Sequence, residues 1–271
     1  MLNILREHKH RGKQIFILAK AEIVKTYKGS LLGSAWAIIK PVLTLFIYWF
    51  AFVIGLRAGK AIHHVPFFEF MLPGFVAWFF MNDAILGGSR CIRRNSQYVR
   101  KMSFPVSTIM TFSTLSDLFI HLILTALMYV YLVIAGYAPS VYNIQFFLFC
   151  PLMFLFFLFL SWSTATMSAF SRDFQNLIFS LMTAFFWLSG IIWDSYTISS
   201  KLIRKILLFN PITYCANGYR KAFIYNVWFW QDPSGKFVLE ETIIFLIELV
   251  VVALLGVFNY NRLRKRLPDV L

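Results

Sequence analysis

The hydrophobic pattern is dominated by six long apolar stretches separated by polar segments: Trp36–Leu56, Phe67–Leu86, Val106–Ala135, Ile144–Phe170, Leu177–Trp193 and Thr242–Tyr260. About twenty apolar residues in a helix cross the hydrocarbon of a bilayer, so each stretch predicts a membrane-spanning helix. The fourth carries no charge, and the third is long enough to tilt or to project beyond the lipid. The fifth is short. Only Ser171-Arg172-Asp173 separates it from the fourth, which predicts a tight antiparallel pair. Lipid offers the backbone no hydrogen-bond partners, so spans of this kind must be helical, and the expected fold class is all-α with six transmembrane helices.

Two segments outside the spans have a pattern of their own. In residues 12–30, Phe16, Ala19, Ile23 and Tyr27 share one helical face and Lys13, Lys20 and Lys28 lie mostly on another, although Ile17 and Val24 interrupt the pattern. This fits an N-terminal amphipathic helix lying in the membrane interface or a simple snorkelling anchor. The early apolar run Ile15–Ala19 is too short for the core of a signal peptide. Residues 194–240 are too long for a plain connection. There, Ser199 and Ser200 are positioned to cap a helix with Leu202, Ile206 and Phe209 on one face and Lys201, Arg204 and Lys205 opposite. Asn210-Pro211 ends it, and Ile212–Tyr225, carrying Arg220 and Lys221, predicts a second helix. The pair reads as an outer-side helical hairpin, interfacial or re-entrant. The expected layout is one domain, 1–271: an N-terminal segment 1–33, spans one to five over 34–193, the hairpin over 194–240, span six over 241–260 and a tail 261–271.

Composition makes the membrane reading firm. Hydrophobic residues are 59%, aromatics 19% and charged residues 14% of 271, where a soluble domain carries roughly a quarter charged. That excludes a disordered protein, a nucleic-acid-binding module and an ordinary cytosolic enzyme. The net charge is +14, from 26 Lys and Arg against 12 Asp and Glu. Eighteen of the 26 fall in the N-terminal segment and the start of span one (Lys40), the second-to-third and fourth-to-fifth connections and the tail. Basic residues concentrate on the cytoplasmic side, so both termini are expected there, in agreement with an even number of spans. Cys91, Cys150 and Cys215 lie far apart, with neither disulfide nor metal-ligand spacing.

The sequence has little catalytic chemistry. The nearest approach to a phosphate-binding loop, Gly55-Leu56-Arg57-Ala58-Gly59-Lys60-Ala61, has one residue too few between its glycines and no Ser or Thr after the lysine. If ATP drives this protein, another polypeptide hydrolyses it. Ionisable residues within the spans are Asp83, Asp117, His121 and Glu248. Such residues are costly in lipid and mark function by default. Asp117 and His121, four apart on one face, fit a proton relay or hydrogen bonding inside a packed bundle. Trp36, Tyr48, Trp49, Trp78, Trp162, Trp187 and Trp193 suit either sugar stacking along a conduit or an interfacial aromatic belt. The basic connection Arg90–Pro105 anchors topology. It also fits a short helix that docks a cytoplasmic motor, with Tyr98 and Met102 as apolar contacts.

Four stretches carry a family resemblance: Lys25-Thr-Tyr-Lys-Gly-Ser-Leu-Leu-Gly33 with Ser34-Ala-Trp36 and Pro41; Phe70-Met-Leu-Pro-Gly74 with Trp78-Phe-Phe80; Arg94-Asn95 through Lys101-Met-Ser-Phe-Pro105; and Arg172-Asp173 through Trp193 to Asn210-Pro211-Ile-Thr-Tyr214 and Arg220. In order and spacing they resemble the ABC-2 type permeases that export lipid-linked cell-surface polymers, those for wall teichoic acid most closely. O-antigen and capsule permeases share these marks, and Lys28-Gly29 departs from the Arg and second polar residue found in many relatives. The resemblance implies a homodimer with two copies of a separate ABC ATPase that holds the ATP and Mg, a polyprenyl-pyrophosphate-linked polymer as substrate, and a bacterial cell membrane. It implies no cofactor, metal or nucleic acid in this chain. By the same resemblance, Lys25, Tyr27, Lys28, Leu32, Gly33 and Trp36 flank a headgroup entrance, and Arg90, Arg93, Arg94, Tyr98, Arg100 and Lys101 form the ATPase-coupling segment. Tyr48, Trp49, Trp187 and Trp193 would line the path, with Asn210, Pro211, Tyr214 and Arg220 at the outer gate. The competing readings are an ABC-2 exporter of small hydrophobic drugs, a proton-coupled transporter using Asp117 and His121, and, ranked last, a membrane enzyme acting on lipid-linked sugars.

Overall fold

A computed structural model describes residues 2–57, 61–101 and 104–270. Lys60 and Met102, considered above, fall outside the described residues, as do the side chains of Arg100 and Lys101. The described chain is helical throughout, without a named strand. In order the helices are α1 (Leu2–His8), α2 (Gly12–Thr26), α3 (Trp36–Trp49, continued as a π-turn over Phe50–Gly55), α4 (Phe67–Arg94), α5 (Ser96–Lys101), α6 (Val106–Ile134), α7 (Phe146–Phe170), α8 (Arg172–Leu188), α9 (Lys201–Leu208), α10 (Pro211–Arg220, continued as a π-turn over Lys221–Tyr225), α11 (Glu240–Leu263) and α12 (Leu267–Val270). Five of them, with their short helical extensions, are long and apolar enough to cross a membrane: Gly33–Gly55, Phe67–Arg94, Val106–Ile134, Val141–Phe170 and Glu240–Arg266. The protein is a multi-pass membrane protein.

The core forms around α4, which buries Phe70, Met71, Phe75, Ala77, Phe80, Met81 and Ala84 against α6, α7 and α10. Small residues let the helices approach closely. Gly256 of α11 lies directly against the Phe159 carbonyl of α7, where a methyl group would collide with backbone; close packing at small residues is how helices associate in lipid. By contrast α3 buries only Ala37, and Val42, Leu43, Phe46, Ile47 and Phe50 stand exposed.

Three boundaries differ from the sequence reading, each for a physical reason. Span two continues as helix to Arg94, so Arg90, Arg93 and Arg94 project from a helix end rather than a loop. The fifth stretch is a 17-residue helix, about 25 Å long at 1.5 Å per residue and short of a hydrocarbon core about 30 Å thick. It stops at Leu188 because Gly190 adopts a left-handed φ of 64°, which leaves Trp193 in the turn beyond. The N-terminal segment forms two helices, and α2 buries Ile15, Ala19 and Glu22 rather than the Phe16, Ala19, Ile23, Tyr27 face. Packing on α6 sets that face; Phe16 stays largely exposed and meets α6 only edge-on, at Phe119, 5.3 Å between ring centres.

The two terminal segments meet at one end of the bundle. Glu7 accepts from Arg264 at 2.7 Å and from Tyr260 at 2.9 Å, and it also pairs with Ser107. At the opposite end α9 and α10 follow one another, separated by Phe209 and Asn210. Ser200 caps α9, whose Leu202, Ile206 and Phe209 face outward while Leu207 packs inward.

Candidate functional site

At the end that carries the termini, α2 meets the junction of α4 and α5. Glu22 is 3% exposed, and its carboxylate receives Arg94 at 2.6 Å and the Asn95 side-chain amide at 3.2 Å. Asn95 is the C-cap of α4 and is fully buried. Its Nδ2 also donates to the Cys91 carbonyl at 3.1 Å, and its Oδ1 accepts from Lys25 at 2.8 Å. A buried amide must find partners for both donors and its acceptor, and here Glu22 and Lys25 of α2 and Cys91 of α4 supply them. Lys25, expected at the entrance, and Arg94, expected in the coupling segment, thus share one polar junction.

The other entrance residues lie beyond it. Tyr27 is half-buried, with the Lys40 ammonium 5.7 Å from its ring. Burial, with the Asp83 and Asp117 charges behind it, raises its phenol above the ordinary range. Lys28 and Leu32 are exposed and Trp36 is half-buried. Gly29 and Gly33 have φ of 88° and 50°, a backbone that residues with a Cβ rarely adopt, so this turn favours glycine at both places.

The remaining coupling residues diverge. Arg90 stacks on Phe179 of α8 at 3.8 Å, and Arg93 donates to the Ala169 carbonyl at 3.0 Å. Tyr98 turns inward onto Phe104 at 5.2 Å and Phe112 at 6.3 Å. Gln97 is the exposed side chain of α5 among those described.

The path aromatics fall into two groups. Tyr48 packs on Phe75 and Phe186 at 4.9 and 5.3 Å, next to Trp187, and the Trp193 indole donates to the Trp187 carbonyl at 2.9 Å. Trp49 points elsewhere, into a groove of about 630 Å³ between α3, α4 and α6 that Leu72, Val76, Leu124 and Met128 also line. Asp117 and His121 are not bonded to each other. His121 is held between the Val76 carbonyl at 3.2 Å and the Tyr219 hydroxyl at 2.6 Å, while one oxygen of Asp117 and one of Glu248 are buried without a partner among the described residues. Among those residues no three His, Cys, Asp or Glu side chains converge as metal ligands.

At the opposite end, the four expected gate residues are joints within the packing. Asn210 caps α10 through Ile212 and Thr213 and donates to Ser189 at 2.9 Å, with Pro211 at the first helical position. Tyr214 stacks on Phe245 at 4.3 Å and donates to Thr242. Arg220 is wholly buried. Its guanidinium donates to the carbonyls of Phe70, Gly190 and Ile191 and to Asn217, and it lies over the Phe70 ring at 3.9 Å. The guanidinium passes Gly74, where a Cβ would sit 2.8 Å from it, so Pro-Gly74 keeps room for the arginine.

Several residues with polar roles escaped the sequence reading. Lys221 is buried in a 2.8 Å ion pair with Glu241, which also accepts from Tyr196, and His63 donates to Asp194 at 2.7 Å. Glu7 and Glu22 are the only two acids of residues 1–33, a segment whose charge is otherwise basic. Two isolated acids in a basic amphipathic segment are the signal that would have found them.

Comparison with known proteins follows this geometry. A family model described as ABC-2 type transporter matches residues 13–224. The chain is 25% identical to the O-antigen export system permease protein RfbA of Myxococcus xanthus, over 82% of this chain and 85% of that protein. It is 22% identical to the protein of the same name from Klebsiella pneumoniae, over 95% of this chain and 94% of that one.

Proposed function

We propose that this chain, which belongs to the ABC-2 type transporter family, is the membrane subunit of an ATP-driven exporter. Its cargo is a lipid-linked cell-surface polysaccharide, moved from the cytoplasm to the outer side of the cell membrane. The observation that carries this reading is the near end-to-end match to permeases named for O-antigen export. Wall teichoic acid is the narrower reading that the sequence motifs favour. The subunit contributes a gate rather than catalysis, and ATP and Mg belong to a separate ATPase, since the one glycine-lysine run lacks the spacing of a phosphate loop.

The working unit in this reading is two copies of the chain with two of the ATPase. The exposed faces of α3 and α8, including Phe46, Ile47 and Trp187, suit a second copy and a path between the two. Six crossings are part of the proposal. The start of α8 shares a polar cleft with Arg93 and Val270, while the turn that follows α8 reaches His63 through Asp194, which supports a passage from one end of the bundle to the other. The basic end, where Glu7 and Arg264 meet, then faces the cytoplasm, and α5 lies where an ATPase would dock. Exposed Lys28 and the Leu32–Trp36 turn suit a pyrophosphate headgroup arriving at that rim.

The test is depletion of the chain in its own cells, followed by sorting of lipid-linked polymer by side of membrane. Accumulation on the cytoplasmic side, with loss of surface polymer, is the expected result. Unchanged surface polymer contradicts the proposal.

A further inference from the structure

Motion of an ATPase at α5 must reach the polymer path; α3 meets the bundle along its second half, through Tyr48 on Phe75 and Phe186 and Phe52 on Phe67, while its first half, which follows α2 in the chain, buries only Ala37. We infer that Glu22 is the positioning residue through which α5 drives α3, so that the stroke travels through the N-terminal helix rather than through α4 and α6. The inference rests on the reading of α5 as the docking segment.

The route is continuous in the structure. Asn95 separates α4 from α5, so a push on Ser96–Lys101 acts first on Asn95 and Arg94. Both are fastened to Glu22, Arg94 at 2.6 Å and Asn95 at 3.2 Å. Lys25, one turn further along α2, holds Asn95 Oδ1 at 2.8 Å and contacts the Arg94 carbonyl at 3.4 Å. The Glu22 carboxylate lies on the inward face of α2, shielded from water, where its bonds are strong, and Lys25 closes the junction from the exposed side. Four residues past Glu22 the helix ends at Thr26, and the glycine-hinged turn through Gly29 and Gly33 leads directly into α3. Glu7 fixes the far end of the N-terminal segment to α6 and α11 through Ser107, Tyr260 and Arg264. The segment is therefore a lever with a fixed end at Glu7, a driven point at Glu22 and a load at α3. A mere topology anchor needs no acid at either place, because lysines hold a helix at the interface unaided.

The test uses the full chain assembled with its ATPase in lipid nanodiscs and spin-label distances on exposed positions. Labels at Val24 and Gln97 report α2 against α5, and labels at Leu43 and Leu122 report α3 against α6. In the otherwise unchanged chain, ATP with vanadate should leave the Val24–Gln97 distance fixed and shift the Leu43–Leu122 distance. In Glu22→Gln, which keeps shape and one acceptor but loses the charge, the Leu43–Leu122 shift should fall at least twofold while ATP turnover stays within twofold. Glu22→Asp should restore part of the shift. A full shift in Glu22→Gln, or a Val24–Gln97 distance that changes in the unsubstituted chain, overturns the inference even if Glu22→Gln fails to assemble. If the unsubstituted chain binds no ATPase, the functional reading itself fails, and that result is distinct from both.

Discussion

Replacing Arg220 tests the packing of this end of the bundle most sharply, because among the described residues its buried charge has no carboxylate partner and depends on carbonyls, the Asn217 amide oxygen and a ring. In Arg220→Met the Gly190 and Ile191 carbonyls, which lie in a turn and have no helical partner to fall back on, are orphaned, and Asn217 Oδ1 loses its donor. The Phe70 carbonyl lies within α4 and retains a helical partner. An orphaned buried acceptor costs about 1–3 kcal/mol, and the relief of no longer burying a charge offsets part of the total. The expected net loss is about 3–5 kcal/mol. Arg220→Lys keeps the charge but has no planar fork, so it satisfies one carbonyl direction and should lose about 2–3 kcal/mol by the same orphan costs. Gly74→Ala should mimic part of the loss from the other side, because its methyl would sit 2.8 Å from the guanidinium. The assay is reversible unfolding of the purified chain in mixed micelles, titrated with SDS and followed by tryptophan fluorescence. A stability for Arg220→Met within about 1 kcal/mol of the parent, less than the cost of a single orphaned acceptor, would refute the reasoning.

Three further outcomes follow from the same structure. Gly256→Ala places a methyl against the Phe159 carbonyl, and since backbone yields poorly the cost should be at the upper end of the roughly 1–3 kcal/mol typical of overpacking, read by the same titration. Asn210→Ala removes the α10 cap and should cost about 1 kcal/mol, with faster amide exchange confined to Ile212 and Thr213. Asp232 titrates in the loop between α10 and α11: burial pushes its carboxyl up, but hydrogen bonds from Ser234 and Lys236 outweigh that and hold it below its usual value. The turn it organises should therefore be intact above about pH 4, the ordinary carboxylate range, and should loosen only as the pH falls further. Exchange at Ser234 and Lys236 reads this, and an Asp232→Asn chain should lack the transition.

The long spans were legible because lipid imposes length and polarity with few exceptions. Ser200, Asn210 and Pro211 mark α9 and α10 as local cap chemistry dictates. What remained hidden depends on partners distant in the chain. Arg93 and Arg94 are adjacent, yet one donates to Ala169 and the other to Glu22; about 100° of helical rotation separates them, and no local pattern says which turns inward. The arginines at the end of α4 imitate a loop because a helix end outside lipid tolerates charge as well as a loop does. The resemblance assigns Arg220 to the outer gate, and only its carbonyl partners, from positions as distant as Phe70, show that its side chain is buried. Asp117 and His121 share a face as expected, but Tyr219 and Val76 claim the imidazole.

In the proposed function the energy for transport comes from a separate ATPase. The direct measurement is transport of lipid-linked polymer, extracted from the parent cells, into vesicles that hold the chain with or without its partner ATPase. Transport that needs both the ATPase and hydrolysable ATP, and ignores an imposed proton gradient, is the predicted result. Transport by the chain alone, driven by that gradient, would contradict it.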